Sequence, residues 1–230
     1  MLKVGGFTPL STSDWPGNLA AVVFVQGCPW RCHYCHNVDL QGREGGMPAG
    51  WQHVIGTLAR RKGLLDGVVF SGGEPTLDPE LVDAIDTVRS MGFKAGLHTA
   101  GIYPDKLEKV LPLLDWVGFD IKANFADYEA VTDMPRSGLP AWRSLQSVLQ
   151  AVKRQNLGLE IRTTYHPDLH SDDQLVALAD SLVHLGIQHW VIQQFRPAHT
   201  QHADLTATWA PPSAQLMQRL RDAGLTLELR

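Results

Sequence analysis

Three cysteines, and no others in the 230 residues, fall on one short stretch as Cys28-x3-Cys32-x2-Cys35. Three thiolates on a single loop can converge on one metal centre, and their softness favours zinc or iron–sulfur. The number three matters. A structural zinc site is closed by four ligands, and an ordinary [4Fe–4S] cluster also takes four cysteines. Either His33 or His36 completes a Cys3His zinc site, or a cubane keeps one iron without a protein thiolate, open to a substrate. Three unliganded core cysteines fit poorly with a loop so rich in His, Arg and Trp. A secreted disulfide scaffold would carry more cysteines, in even number.

Other chemistry-bearing residues recur at the ends of apolar runs. Val68–Ser71 leads into Gly72-Gly73-Glu74, where paired glycines allow close backbone approach to a ligand and a carboxylate can accept from an ammonium group. Gly118-Phe119 leads into Asp120-Ile121-Lys122, and strand alternation puts Asp120 and Lys122 on one face. They read as a ligand contact or as a simple surface ion pair. His98-Thr99-Ala100-Gly101 ends a further run, with His98 read as a satisfied strand-end histidine. Arg162–His166 and Gln193–Pro197 supply more polar strand ends, with solvent or partner contact the plain reading of Gln194 and Arg196.

The elements that must position these residues follow from hydrophobic patterning. Apolar runs at Ala20–Gln26, Gly67–Ser71, Lys94–Thr99, Trp116–Ile121, Leu157–Thr164 and His189–Phe195 fit strands buried on both faces, as in a parallel sheet. Between them lie amphipathic stretches. One starts at Asp78-Pro79, with Asp as N-cap, runs through Leu81, Ile85 and Val88, and stops at Gly92. Others span Leu139–Gln155 (through Trp142, Leu145, Leu149 and Val152), Ser171–Leu185 and Ser213–Ala223, before a last strand at Leu225–Leu229. Ser11–Gly17 is a turn-rich loop by composition. The pattern predicts an α/β fold, a partial (β/α)6 barrel with a parallel sheet, because eight units need about 250 residues. The expected organisation is one domain over residues 1–230: an N-terminal loop extension at 1–19, the partial barrel at 20–200, and a C-terminal helix and strand at 201–230. Ligands in such folds sit at the C-terminal strand ends.

At the cysteines the chain resembles the radical S-adenosylmethionine (radical SAM) superfamily, whose signature Cys-x3-Cys-x-aromatic-Cys is met by Cys28, Cys32, Tyr34 and Cys35. The resemblance implies that the three cysteines hold a [4Fe–4S] cluster whose open iron binds the amino and carboxylate groups of S-adenosylmethionine. It also implies cofactor contacts at Tyr34, Cys35, His36, Gly72, Gly73, Glu74, Thr99, Asp120 and Lys122. By the same likeness, Glu74 belongs to a Gly-Gly-Glu motif that holds the methionine amino group. Where relatives carry Asn after the strand-three Thr, this chain has Ala100. The segment Ser11–Gly17, with Gln26-Gly27-Cys28 and Cys35-His36-Asn37, is similar to glycyl-radical enzyme activases, in particular those of anaerobic ribonucleoside-triphosphate reductase. That likeness implies reductive cleavage of S-adenosylmethionine to a 5′-deoxyadenosyl radical, which takes a hydrogen atom from a partner glycine. A flavodoxin or ferredoxin would donate the electron, and no side chain would be needed as a general base. Residues 38–67 hold no cysteine, so no auxiliary cluster is expected there.

Two other functions compete. One is a small-molecule radical enzyme of the 7-carboxy-7-deazaguanine synthase type; the other, from a different class, is a zinc-stabilised module without catalysis. Composition narrows the field further. With 20 Lys+Arg against 24 Asp+Glu, the net charge is −4 and the basic residues are scattered, which argues against nucleic-acid binding. At 44% hydrophobic residues the chain is too apolar for disorder. Its longest apolar runs stop far short of the roughly 20 residues of a membrane span, and no signal peptide is evident, so a cytoplasmic location is expected.

Overall fold

The computed structural model describes residues 1–196 and 203–230. Pro197 and the boundary expected at 200/201 lie outside the described residues. The described strands form one eight-stranded sheet in the order in which they occur along the chain. They are β1 (Val4–Ser11), β2 (Ala20–Val25), β3 (Gly67–Gly72), β4 (Lys94–Thr99), β5 (Trp116–Asp120), β6 (Gly158–Tyr165), β7 (His189–Gln194) and β8 (Thr226–Leu229). β1 pairs antiparallel with β2, and every later pair is parallel. The crossovers carry α1 (Gly50–Ala59), α2 (Leu81–Ser90), α3 (Pro104–Val110), α4 (Tyr128–Thr132), α5 (Gly138–Gln155), α6 (Asp172–His184), α7 (Ala203–Thr208) and α8 (Ala214–Asp222). This is the expected α/β partial barrel with a mostly parallel sheet, left open between β1 and β8. Among the described residues no helix is long and apolar enough to cross a membrane.

Three expectations are corrected. Residues 1–19 are not wholly a loop extension, because Val4–Ser11 is a strand on the sheet edge. The helix after β3 begins at Leu81 rather than beside Asp78. Asp78 is buried and occupied elsewhere: it accepts from the Glu80 and Lys3 amides and pairs with Arg43 at 2.9 Å. In α5 the buried stripe is Ala141, Ser144, Leu145, Val148 and Ala151, while Trp142, Leu149 and Val152 are only half-buried. Small residues win that face because the helix packs tightly on the turn after β4; Ser144 Oγ donates to the Gly101 carbonyl at 2.7 Å.

Strand alternation divides the core in two. Ala21, Val23, Val25, Val68, Phe70 and Val117 face the helices. On the opposite face Ala20, Val22, Val69 and Trp116 pack with Trp15, from the Ser11–Gly17 loop. The two indoles stack at 5.6 Å. Strand glycines make the room: a Cβ on Gly67 would lie 2.7 Å from Trp15, and one on Gly118 2.7 Å from Trp116. Trp15 thus plugs the lower end of the partial barrel. Continuing up the same face, Phe24, Ser71, His98, Asp120, Arg162 and Thr164 line a cavity at the C-terminal strand ends.

Candidate active site

The chain leaves β2 through Gly27, whose φ of +108° turns it into the cysteine loop. That loop is fixed mainly by backbone. The Gly27 and Cys28 amides donate to the Leu40 and Gln41 carbonyls, and Cys35 N donates to Cys32 O. Across the loop, Arg31 N and His33 N donate to the Thr132 and Val131 carbonyls of α4. Arg31 Nη1 closes the near side by donating to the Cys28 and Trp30 carbonyls. Cys28, Cys32 and Cys35 all line the cavity. Burial, with the Glu74 carboxyl adding to it, pushes the Cys28 thiol up to about 12, and burial also raises Cys32. Positive charge of the kind a metal centre brings would favour the thiolate form of both.

Gly72 and Gly73 reach the cavity through their backbone, and their need for glycine comes from the adjacent chain. Gly72 has φ +114°, and a Cβ there would lie 2.4 Å from Val25 N. Gly73 N donates to Val25 O, and Glu74 N to Gly27 O at 2.9 Å, so this turn clamps the start of the cysteine loop. The expectation that the Glu74 carboxylate faces a ligand is corrected. Glu74 is 1% exposed and absent from the cavity wall. Its Oε1 accepts from Thr76 N, Thr76 Oγ1 and Thr99 Oγ1, and its Oε2 from Ala100 N at 3.0 Å. Burial raises this carboxyl, and those four donors pull it back. The side chain bolts the end of β3 to the end of β4, leaving the backbone of Gly72-Gly73 to meet a ligand.

Thr99 and Ala100 line the cavity, Thr99 with its hydroxyl committed to Glu74. His98 also lines it and is satisfied, as expected. Its Nε2 donates to the Asp14 carbonyl at 2.8 Å, and its Nδ1 accepts from Ser71 Oγ. Arg162 Nη1 stands 3.0 Å from the same Nε2. Burial first, and then Arg162, lower His98 to about 4, so the ring is neutral.

Asp120 and Lys122 point into the cavity together, but they do not pair with each other as the plain reading supposed. Asp120 binds Arg162, with Nε at 2.8 Å and Nη2 at 2.7 Å. Burial works against the Asp120 carboxylate, and Arg162, Lys122 and His98 outweigh it and hold the group below its usual range. Sequence reasoning left Arg162 unranked; its signal was a charge sharing the parity of Thr164 inside an apolar strand. Lys122 makes no ion pair among the described residues. Its Nζ lies 5.5 Å from the centre of the Tyr34 ring. Burial opposes its charge, but Tyr34, Cys32 and Asp120 hold its pKa well above the usual lysine range.

Tyr34 is buried, stacked on His170 at 6.2 Å, and His36 packs on Phe195 at 5.7 Å while accepting from Arg196 N. The cavity measures about 580 Å³, within the range of small-molecule sites. It holds every residue expected at the site except Glu74.

Residues 22–181 match the family model described as the Radical SAM superfamily. The chain belongs to the radical SAM superfamily. Radical SAM proteins use a [4Fe–4S] cluster and S-adenosylmethionine. A protein of Methanocaldococcus jannaschii named as a glycyl-radical enzyme activating enzyme is 30% identical over 199 residues, 84% of this chain and 80% of that one. The pyruvate formate-lyase-activating enzyme of Clostridium pasteurianum is 33% identical over 167 residues, 70% of this chain and 66% of that one. In fold, the chain resembles SuiB of Streptococcus suis bound to S-adenosylmethionine, with TM-score 0.62 and 14% identity over 89% of this chain and 48% of that one. The donor set suits the radical SAM cofactors: three thiols, an ammonium group without an ion-pair partner among the described residues, and accessible glycine backbone share one cavity.

Proposed function

We propose that this radical SAM enzyme installs a glycyl radical on anaerobic ribonucleoside-triphosphate reductase, in the cytoplasm, with an electron from a flavodoxin or ferredoxin. The coarser part, an oxidoreductase that activates a glycyl-radical enzyme, is supported by relatives bearing that name. The observation that carries the reading is the cavity shared by the three cysteines and Lys122, which has no ion pair among the described residues.

In this reading Cys28, Cys32 and Cys35 each ligate one iron of a [4Fe–4S] cluster. Lys122 supplies the cation for the methionine carboxylate, and the Gly72 and Gly73 backbone meets the ammonium. The backbone of Tyr34, Cys35 and His36 borders the adenine, and Thr99 and Asp120 complete the polar wall. When bound and reduced, the cluster supplies the electron that cleaves S-adenosylmethionine and so generates the hydrogen-abstracting radical. The protein's share is positioning and the exclusion of water.

The test is electron paramagnetic resonance of anaerobically reconstituted protein with dithionite, S-adenosylmethionine and the reductase. A glycyl doublet on the reductase is expected, with about four irons and matching sulfide per chain. One zinc per chain, or turnover of a pterin-like molecule without any partner protein, refutes the proposal.

A further inference from the structure

The cavity has a second wall that the cofactor contacts do not use. It lies beyond Asp120, at the ends of β6 and β7, and holds Thr164, Gln193 and Gln194. Of the three arginines that line the cavity, two are engaged within the chain and the third, Arg196, is exposed. Arg162 is taken by Asp120, and Arg230 reaches Glu160 at 2.8 and 3.1 Å. Thr164, Gln193 and Gln194 differ: each is half-buried, and no side-chain hydrogen bond forms at any of them within the described residues. The contrast with Gln26 is direct, since its carboxamide donates to both the Asp39 and Gly42 carbonyls. Yet the three residues are rigidly mounted. Thr164 and Gln193 are ladder partners, Gln194 faces Tyr165, and Gln194 N donates to Arg230 O at 2.7 Å.

A carboxamide donates and accepts in one plane, the pattern that a peptide unit presents in complement. Neutral groups of this kind suit neither a phosphate nor a carboxylate, which charged donors hold better. A glycine offers no side chain to recognise, so a protein that selects one must bind the peptide groups on either side of it. We propose that Thr164, Gln193 and Gln194 form the substrate wall, binding the backbone of an extended, glycine-bearing polypeptide segment and turning its Cα toward the cofactor half of the cavity. The assignment rests on the activase reading and names the residues that make it selective.

The test uses Gln193→Met and Gln194→Met, singly and together, in cluster-loaded enzyme with purified anaerobic ribonucleoside-triphosphate reductase. Methionine keeps the length of glutamine and removes the hydrogen bonds, and neither carboxamide supports the fold. The KM for the reductase, read from the glycyl doublet, should rise about 10- to 30-fold in the double variant, the loss of two neutral hydrogen bonds. The Kd for S-adenosylmethionine should not change. An unchanged KM overturns the assignment, and so does a Kd that weakens in step, since the wall would then belong to the cofactor. If the unaltered enzyme gives no doublet on the reductase, the reading of that reductase as the partner fails, whatever the variants do.

Discussion

Glu74→Gln separates a structural carboxylate from a ligand-binding one. Glutamine preserves the shape, and its Oε1 can keep the three donors that converge there, Thr76 N, Thr76 Oγ1 and Thr99 Oγ1. The other terminal atom becomes an NH2 facing Ala100 N, which now donates at 3.0 Å. Two donors then meet in a buried place. Flipping the amide is worse, since it sets the NH2 against three donors instead of one. A buried donor stranded in this way costs about 1–3 kcal/mol. For a chain of this size each kcal/mol moves Tm by about 2–4 °C, so the fall should be about 2–12 °C. Thermal unfolding of the cluster-free protein, followed by circular dichroism, reads this without any cofactor. A carboxylate whose job is to hold the methionine ammonium would leave that Tm alone. A cluster-free Glu74→Gln protein as stable as the parent, with weakened S-adenosylmethionine binding, would refute the bolt described here.

Three further outcomes follow from the site and its floor. Lys122→Met should leave iron content intact and weaken S-adenosylmethionine binding at least about ten-fold by calorimetry, the scale of one charge-assisted contact. An unchanged affinity would remove Lys122 from the carboxylate site. His98 sits near 4 when folded and near 6.5 when unfolded, so between those values the unfolded chain binds a proton that the folded chain refuses. Stability should thus be full above about pH 6.5 and fall toward pH 4, by up to about 3 kcal/mol, and denaturant titrations of His98→Gln should show a slope shallower by one proton. Trp15→Ala should cost about 3–5 kcal/mol in urea unfolding by emptying the barrel floor, a loss that a merely surface-lying loop would not show.

The parallel strands were legible because each is an unbroken apolar run, and β2 to β7 lie within a residue or two of where patterning puts them. β1 was not legible: Gly5-Gly6 and Pro9 break its pattern, and an edge strand with half-exposed residues has little apolar contrast. α1 was hidden for a related reason, since it starts after a left-handed Ala49 and contains Gly50 and Gly56. The cysteines, Lys122 and the paired glycines were legible by type and spacing. What each carboxylate does was not. Glu74 and Asp120 look alike as acids at strand ends, and only the donors around them decide that one faces inward to Thr99 and Ala100 while the other faces the cavity with Arg162. The insertion of Trp15 left a faint trace, in glycines on the same face of successive strands, Gly67, Gly96, Gly118 and Gly158, whose meaning depends on knowing which residue fills the gap.

The order of the sheet bears on how the molecule is made. Every strand lies against the one that precedes it in the chain, so no strand waits for a distant partner. Synthesis from the N-terminus can lay down the sheet one strand at a time, each new strand closing on its predecessor across a crossover. The cysteine loop, between β2 and β3, emerges first. The glutamines of β7 arrive later, and Arg230, which closes on Glu160, later still. A nascent chain therefore has the means to take up metal before it has the wall against which a protein substrate would rest.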